Sequence, residues 1–345
     1  METGQPLGGV HHVTAICGHP QENVDFYVGV LGLRLVKRSV NQDDPGTYHL
    51  FYADAVGTPG TDLTFFAWPG GPRGQVGTGQ GTAVALAVPP GSLSFWTDRL
   101  RWAGVDARGP IRRFEEQVLS FTDPHGQTVE LVAAPDAVDR PWVFWEDGPV
   151  SREYAVRGIH AVTLTEAAAA PTVPFLTGQL GFRSAASERN RTRFAVGPGG
   201  SGAWLDLVVN SHARAGRVAV GTIHHVAWRT PTDDDQRAWW QRIRRLGVPV
   251  SDIINRFWFH SIYFREPGGV LFEIATDGPG FAVDEAVEEL GSRLVLPPWL
   301  QPHRADIERA LTPSPFRASS APHAAGPDRR WAGRPPGDDD ETLLR

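Results

Sequence analysis

An α+β fold of four βαβββ modules, closed in pairs as two half-barrel domains and followed by a C-terminal helical extension, is what the chain's internal repetition predicts. Three observations carry this expectation. Four segments open on a glycine followed by a short β-like run, each passes into an amphipathic stretch, and each finishes in strands around a Gly-containing turn. A unit of roughly 70 residues cannot close a core alone, so the modules must pair.

The openings are Gly9-Val10-His11-His12-Val13-Thr14, Gly81-Thr82-Ala83-Val84-Ala85-Leu86, Gly158-Ile159-His160-Ala161-Val162-Thr163 and Gly221-Thr222-Ile223-His224-His225-Val226. Helices are expected near 22–31, 91–103, 171–180 and 232–246, where apolar residues such as Phe26, Val30 and Leu31 recur at helical spacing. Leu31-Gly32 and Leu246-Gly247 supply their stops. The closing hairpins are clearest in Asp123-Pro124-His125-Gly126 before Thr128–Val132 and in Glu266-Pro267-Gly268-Gly269 before Leu271–Ala275, where proline and glycine set the angles of a tight turn. The first domain is expected over 8–140 (modules one and two) and the second over 155–282 (modules three and four). In the extension, 283–311, Asp284–Leu294 and His303–Leu311 read as helices separated by Pro297-Pro298. A tail over 312–345, without apolar periodicity, reads as disordered.

Charge and composition exclude several roles. With 33 basic residues, of which only Lys37 is a lysine, against 39 acidic ones, the net charge of −6 offers no field for nucleic acid or anionic lipid. No run of about 18 apolar residues could span a bilayer, and Met1-Glu2-Thr3-Gly4 has no leader character, so a cytoplasmic protein is expected. A homo-oligomer stays open beside a monomer. Gly70-Gly71-Pro72-Arg73-Gly74 and Gly197-Pro198-Gly199-Gly200 lack the helix and lysine of a phosphate loop and read as turns. Cys17 is the only cysteine, so a metal would be held by histidines, of which there are 12, and carboxylates.

Strand alternation then makes register informative. Laid over one another by their opening glycines, the modules read His12, Ala85, Ala161 and His225 at the second position of the His-His doublet. Four residues after Gly60, Gly126, Gly202 and Gly269 they read Thr64, Glu130, Asp206 and Glu273. Pairing module one with four collects His12, His225 and Glu273 in one concavity and leaves the other without imidazole, whereas pairing one with two would split the histidines. Two imidazoles and one carboxylate leave open positions on a metal, a donor set that suits iron or manganese. A lone strand histidine is usually a packed core residue; a doublet recurring in register is harder to explain that way. Glu130 and Asp206 read as vestigial or surface carboxylates. His160 aligns with His11, which alternation turns away from the His12 side.

The doublets at 11–12 and 224–225, together with the run from Arg256-Phe257-Trp258-Phe259-His260 through Tyr263 and Glu266-Pro267-Gly268-Gly269 to Glu273, resemble the vicinal oxygen chelate (glyoxalase/bleomycin-resistance/dioxygenase) superfamily over about residues 8–311. Within it the chain is similar to the hydroquinone-type ring-cleaving dioxygenases. The resemblance implies the vicinal oxygen chelate fold in both domains and Fe(II), or alternatively Mn(II), on His12, His225 and Glu273. It implies a non-haem iron, extradiol-type dioxygenase that inserts both atoms of O2 into a small hydroquinone- or catechol-type ring. His11, Thr14, His224, Arg256 and Tyr263 would then line the substrate side, with Tyr263, Arg256, His224 and His11 handling protons and charge. His260, at the parity of Arg256, is a further substrate-side candidate. A glyoxalase-like isomerase or lyase is the alternative within enzymes, but it uses four protein ligands and Thr64 stands at the fourth position. A metal-free binding or resistance protein is the alternative outside them, and it would have no need of the His-His-Glu set.

Overall fold

The computed structural model describes residues 5–316. The first module runs β1 (Val10–Cys17), α1 (Pro20–Val24, continued as a π-helical turn to Val30), β2 (Arg34–Asn41), β3 (Asp44–Ala53) and β4 (Asp62–Ala67). The second is β5 (Gln80–Val88), α2 (Leu93–Trp102), β6 (Arg108–Arg113), β7 (Glu116–Thr122) and β8 (Thr128–Ala133). In the third follow β9 (Ile159–Glu166), α3 (Thr172–Gln179), β10 (Arg183–Glu188), β11 (Arg191–Ala195) and β12 (Trp204–Val209). The fourth comprises β13 (Ile223–Thr230), α4 (Asp233–Arg245), β14 (Ile254–Asn255), β15 (His260–Arg265) and β16 (Leu271–Thr276). Four βαβββ units are therefore present. Gly60, Gly126, Gly202 and Gly269, the turn glycines used for counting, all have positive φ, a conformation that excludes a side chain at little cost only in glycine.

The strands form two eight-stranded sheets, ordered β14-β15-β16-β13-β1-β4-β3-β2 and β10-β11-β12-β9-β5-β8-β7-β6. Module one thus pairs with module four, and two with three; each sheet takes one module from 8–140 and one from 155–282. The seam of the first sheet is antiparallel β1 against β13, centred on Val13 opposite Val226. The second sheet repeats this with Val84 opposite Val162.

Register corrects one alignment. Relative to the central valines, the position of His12 and His225 is filled in the second sheet by Ala83 and Ala161, so Ala83, not Ala85, is the counterpart of His12. Counting from the opening glycines fails because the central valine follows them by four, three, four and five residues in modules one to four; the bulge itself recurs in every module, pairing skipping His11, Thr82, His160 and His224, each two residues before its valine. The closing positions hold as counted, since Thr64, Glu130, Asp206 and Glu273 each pair with the residue following a central valine.

One face of the seam strands joins a core shared by all four modules, in which Val13, Val84, Val162 and Val226 meet Phe26, Trp96, Leu176 and Ile243 of the helical segments. Apolar periodicity therefore served to bury one stripe of each helix against the sheets. The opposite, concave faces are left for other uses. In the second sheet Glu130 and Asp206 are buried, not on the surface, and are tied by Arg113 to Glu130 (2.6 and 2.7 Å) and by Arg193 to Asp206 (2.7 Å). His160 joins this network through Glu116, 3.0 Å away, and Ser201.

The extension departs from expectation at Asp284–Leu294, which forms only a short 3-10 turn at Val287–Glu289. Tertiary contacts override helix propensity here. Asp284 and Glu285 turn inward to the buried Lys37 ammonium, Gly291 packs against the Leu35 carbonyl, and Leu294 bridges to Arg38 on β2. The second expected helix is present as α5 (Arg304–Ala310). The tail, from residue 317 onward, lies outside the described residues. No helix among the described residues is long and apolar enough to cross a membrane.

Candidate metal centre

On the concave face of the first sheet, β1 supplies His12, β13 supplies His225 and β16 supplies Glu273, all buried. His12 Nε2 lies 3.3 Å from His225 Nε2 and 3.3 Å from Glu273 Oε2, and His225 Nε2 lies 2.9 Å from the same oxygen. Among the described residues this is the one group of three or more ligand-type side chains whose donor atoms all fall within 4.8 Å of one another.

The bulges explain how the rings are held. A bulge breaks alternation, so His11 and His224 do not turn away from their neighbours: His11 Nδ1 is 2.9 Å from His12 Nδ1, and His224 Nδ1 is 2.7 Å from His225 Nδ1. His11 Nε2 lies 3.1 Å from the Thr276 carbonyl, so that nitrogen must carry the proton. His11 Nδ1 is then an acceptor, His12 donates to it, and His12 Nε2 is left bare. At the second doublet no carbonyl fixes the outer ring; a His225 that offers Nε2 to a metal carries its proton on Nδ1 and donates it to His224 Nδ1, which places the His224 proton on Nε2. Burial first, then the neighbouring His12 or His225, lowers both His11 and His224 to about 3, which keeps these supports neutral.

With protons so placed, two imidazole lone pairs and a carboxylate oxygen converge. Glu273 Oε2 is buried without a donor, while Ser261 holds Oε1. Where a proton rather than a metal lies between these atoms, burial alone would raise Glu273, but the charge and hydrogen bond of His12, then the hydrogen bond of His225, outweigh it and hold the carboxylate well below its usual range. A cation satisfies all three atoms at once, so the residues fit a divalent metal.

A cavity of about 350 Å³ opens above this triad. Its walls are mainly aromatic and aliphatic, with Phe51, Phe66, Trp258, Phe259, Ile254 and Leu271, joined by His224, Arg256 and Tyr263. Phe257 has φ 76, strained for a bulky residue, and thereby lets the flanking Arg256 and Trp258 both reach the cavity. Arg256 Nε is 3.3 Å from the Tyr263 hydroxyl, and its other nitrogens make a two-pronged bond to Asp43 at 3.1 and 2.8 Å. Burial, then the Glu273 charge, raises Tyr263, so it stays a phenol.

Three expected substrate-side residues sit elsewhere. His11 lies behind His12 with both ring nitrogens engaged. Thr14 is buried with its hydroxyl 2.7 Å from Thr64 Oγ1. His260 faces α4, its Nδ1 2.8 Å from Asp233. Missing from the sequence reading is the β2–β3 hairpin, which brings Asn41, Gln42, Asp43 and His49 to the cavity. The available signal was the alternation Thr47-His49-Phe51, which sets His49 on the face of Phe51.

The sheet pairing and the site define a class of paired βαβββ modules with a candidate metal centre, and the chain belongs to the Glyoxalase/Bleomycin resistance protein/Dioxygenase superfamily, whose family model matches residues 9–131 and 158–274. Its fold is the vicinal oxygen chelate fold. The chain is 43% identical over 309 residues to MhqO of Bacillus subtilis (strain 168), whose name describes a ring-cleaving dioxygenase, covering 90% of this chain and 97% of the relative. To the chlorohydroquinone/hydroquinone 1,2-dioxygenase of Sphingobium indicum it is 34% identical over 319 residues, covering 90% and 98%. A crystal structure of a Bacillus subtilis protein described as a dioxygenase superposes with a TM-score of 0.83 at 42% identity, covering 91% and 99%.

Proposed function

We propose that the protein is a ring-cleaving dioxygenase that opens a hydroquinone- or catechol-type ring with Fe(II), or alternatively Mn(II), held by His12, His225 and Glu273, inserting both atoms of O2. The observation that carries this reading is the orphaned three-atom donor set at the floor of an aromatic-walled cavity; the names of relatives that cover nearly the whole folded chain support it. The reaction balances without an external reductant, since the ring supplies the four electrons that reduce O2.

When bound, the metal supplies a Lewis-acidic centre at which a phenolate and dioxygen are brought together. The chain's own residues do the rest. Phe51, Phe66, Trp258 and Phe259 exclude water and hold the ring. His224 donates from Nε2 to a substrate oxygen, and His225, relayed through His224 Nδ1, keeps that proton in place. Tyr263 donates its hydroxyl proton to oxygen as negative charge grows, and the Arg256 guanidinium stabilises that charge. His11 acts through His12 as a positioning residue.

The test is oxygen uptake after anaerobic loading with Fe(II), across a panel of hydroquinones and catechols. Stoichiometric O2 consumption with a ring-opened product is expected. Iron bound without uptake or product across the panel would defeat the proposal.

A further inference from the structure

His49, from β3, lines the cavity and is used by nothing described so far. Its imidazole is fixed on three sides: the ring lies 3.9 Å from the Phe51 ring centre and 4.5 Å from that of Phe66, and Nε2 is 2.9 Å from Thr64 Oγ1. Thr64 Oγ1 is in turn fixed by Thr14 Oγ1. Register shows what this arrangement replaces. Thr64 stands in module one where Glu273 stands in module four, and His49, opposite Phe66, stands where Ser261 stands opposite Ala275. A hydroxyl and an imidazole have taken the places of the carboxylate ligand and its supporting hydroxyl. Thr64 offers no strong metal donor, and the imidazole beside it keeps one unused nitrogen, since Nδ1 has no hydrogen-bond partner among the described residues.

Other polar groups of the cavity are differently placed: Arg256 donates to both Tyr263 and Asp43, and His224 is tied to His225. Burial holds His49 well below its ordinary range, so it meets a ligand as a neutral ring. A rigid, neutral, unsatisfied nitrogen in an apolar wall is suited to a neutral hydroxyl and discriminates against a ligand that lacks one, because the nitrogen would then be left unpaired.

Resting on the diphenol reading above, we propose that His49 is a substrate-recognition residue whose Nδ1 hydrogen-bonds the ring hydroxyl that does not face His12, His225 and Glu273, making the cavity selective for diphenols over monophenols. The experiment is calorimetric titration of the metal-loaded full chain, without oxygen, with hydroquinone and with phenol. Wild type is expected to prefer hydroquinone by roughly ten-fold or more, the scale of one buried hydrogen bond. His49→Phe should lose that preference while its phenol affinity moves less than about two-fold, and His49→Asn should regain part of it. A preference retained in both variants, or an equal loss for both ligands, overturns the proposal and leaves His49 a packing residue. Should His49→Phe not fold, His49→Asn against wild type decides by the same ratio. A wild type that binds neither ligand defeats the diphenol reading itself, an outcome distinct from a wild type that prefers hydroquinone without help from His49.

Discussion

At the scale of single residues, the centre depends on which nitrogen carries each proton. His12→Ala, His225→Ala and Glu273→Gln each remove one of three donors, and their metal affinity should fall more than about 100-fold, since outer partners alone commonly cost 10–100-fold. Metal content after dialysis checks this. His11→Phe removes the acceptor that fixes the His12 tautomer and should weaken metal binding by about 10- to 100-fold. His160→Ala, in the other sheet and bonded to Glu116 and Ser201, should retain full metal stoichiometry. Loss of metal in His160→Ala alone would show that the centre has been placed in the wrong sheet.

At the scale of elements, the turn Glu266–Val270 connects β15 to β16 and thus sets the position of Glu273. Glu266 Oε2 accepts from Thr172 and the Gly268 amide, and Glu166, at the end of β9, is buried beside it. Burial, then the Glu266 charge, pushes Glu166 up to about 8. The folded chain therefore keeps a proton there that the unfolded chain loses near pH 4, so stability is full below about pH 4 and declines as pH rises toward about 8. A scan of Tm against pH should find this decline flattened in Glu166→Gln, which should melt above wild type at about pH 9. Element-level structure was also where the sequence was most legible. Amphipathic stretches and positive-φ glycines located the modules, and the closing register found Glu273. Residues that depend on bulges or on distant packing were not legible. The shorter spacing from Gly81 to Val84 moved the counterpart of His12 from Ala85 to Ala83, and the seam bulge brought His11 beside the His12 ring it was expected to turn from. Asp43 reaches the cavity because the β2–β3 hairpin of module one carries it to Arg256 of module four, a contact with no local signal, whereas His49 lies on the face that alternation with Phe51 gives it.

At the scale of the whole molecule, the chain's only lysine fastens the C-terminal extension to the first sheet. Lys37 is fully buried, with its ammonium 2.7 Å from Asp284 and also bonded to Glu285, while Asp284 accepts from the indole of Trp258 on the cavity wall. Removing one partner of a buried pair leaves the other charge uncompensated, so Lys37→Met should cost about 3–5 kcal/mol, measured as a shift in the urea midpoint. It should also loosen Trp258, which a rise in substrate KM would register. Pairing the first module with the last has a further consequence in time. His12 and Glu273 stand 261 residues apart in the chain (273 − 12), so at ribosomal rates their synthesis is separated by between roughly ten and fifty seconds. Through most of that interval β1 has no β13 beside it, and His12 has neither His225 nor Glu273. The proposed three-residue site is thus completed only after the fourth module has emerged, so metal capture by it would be deferred until then.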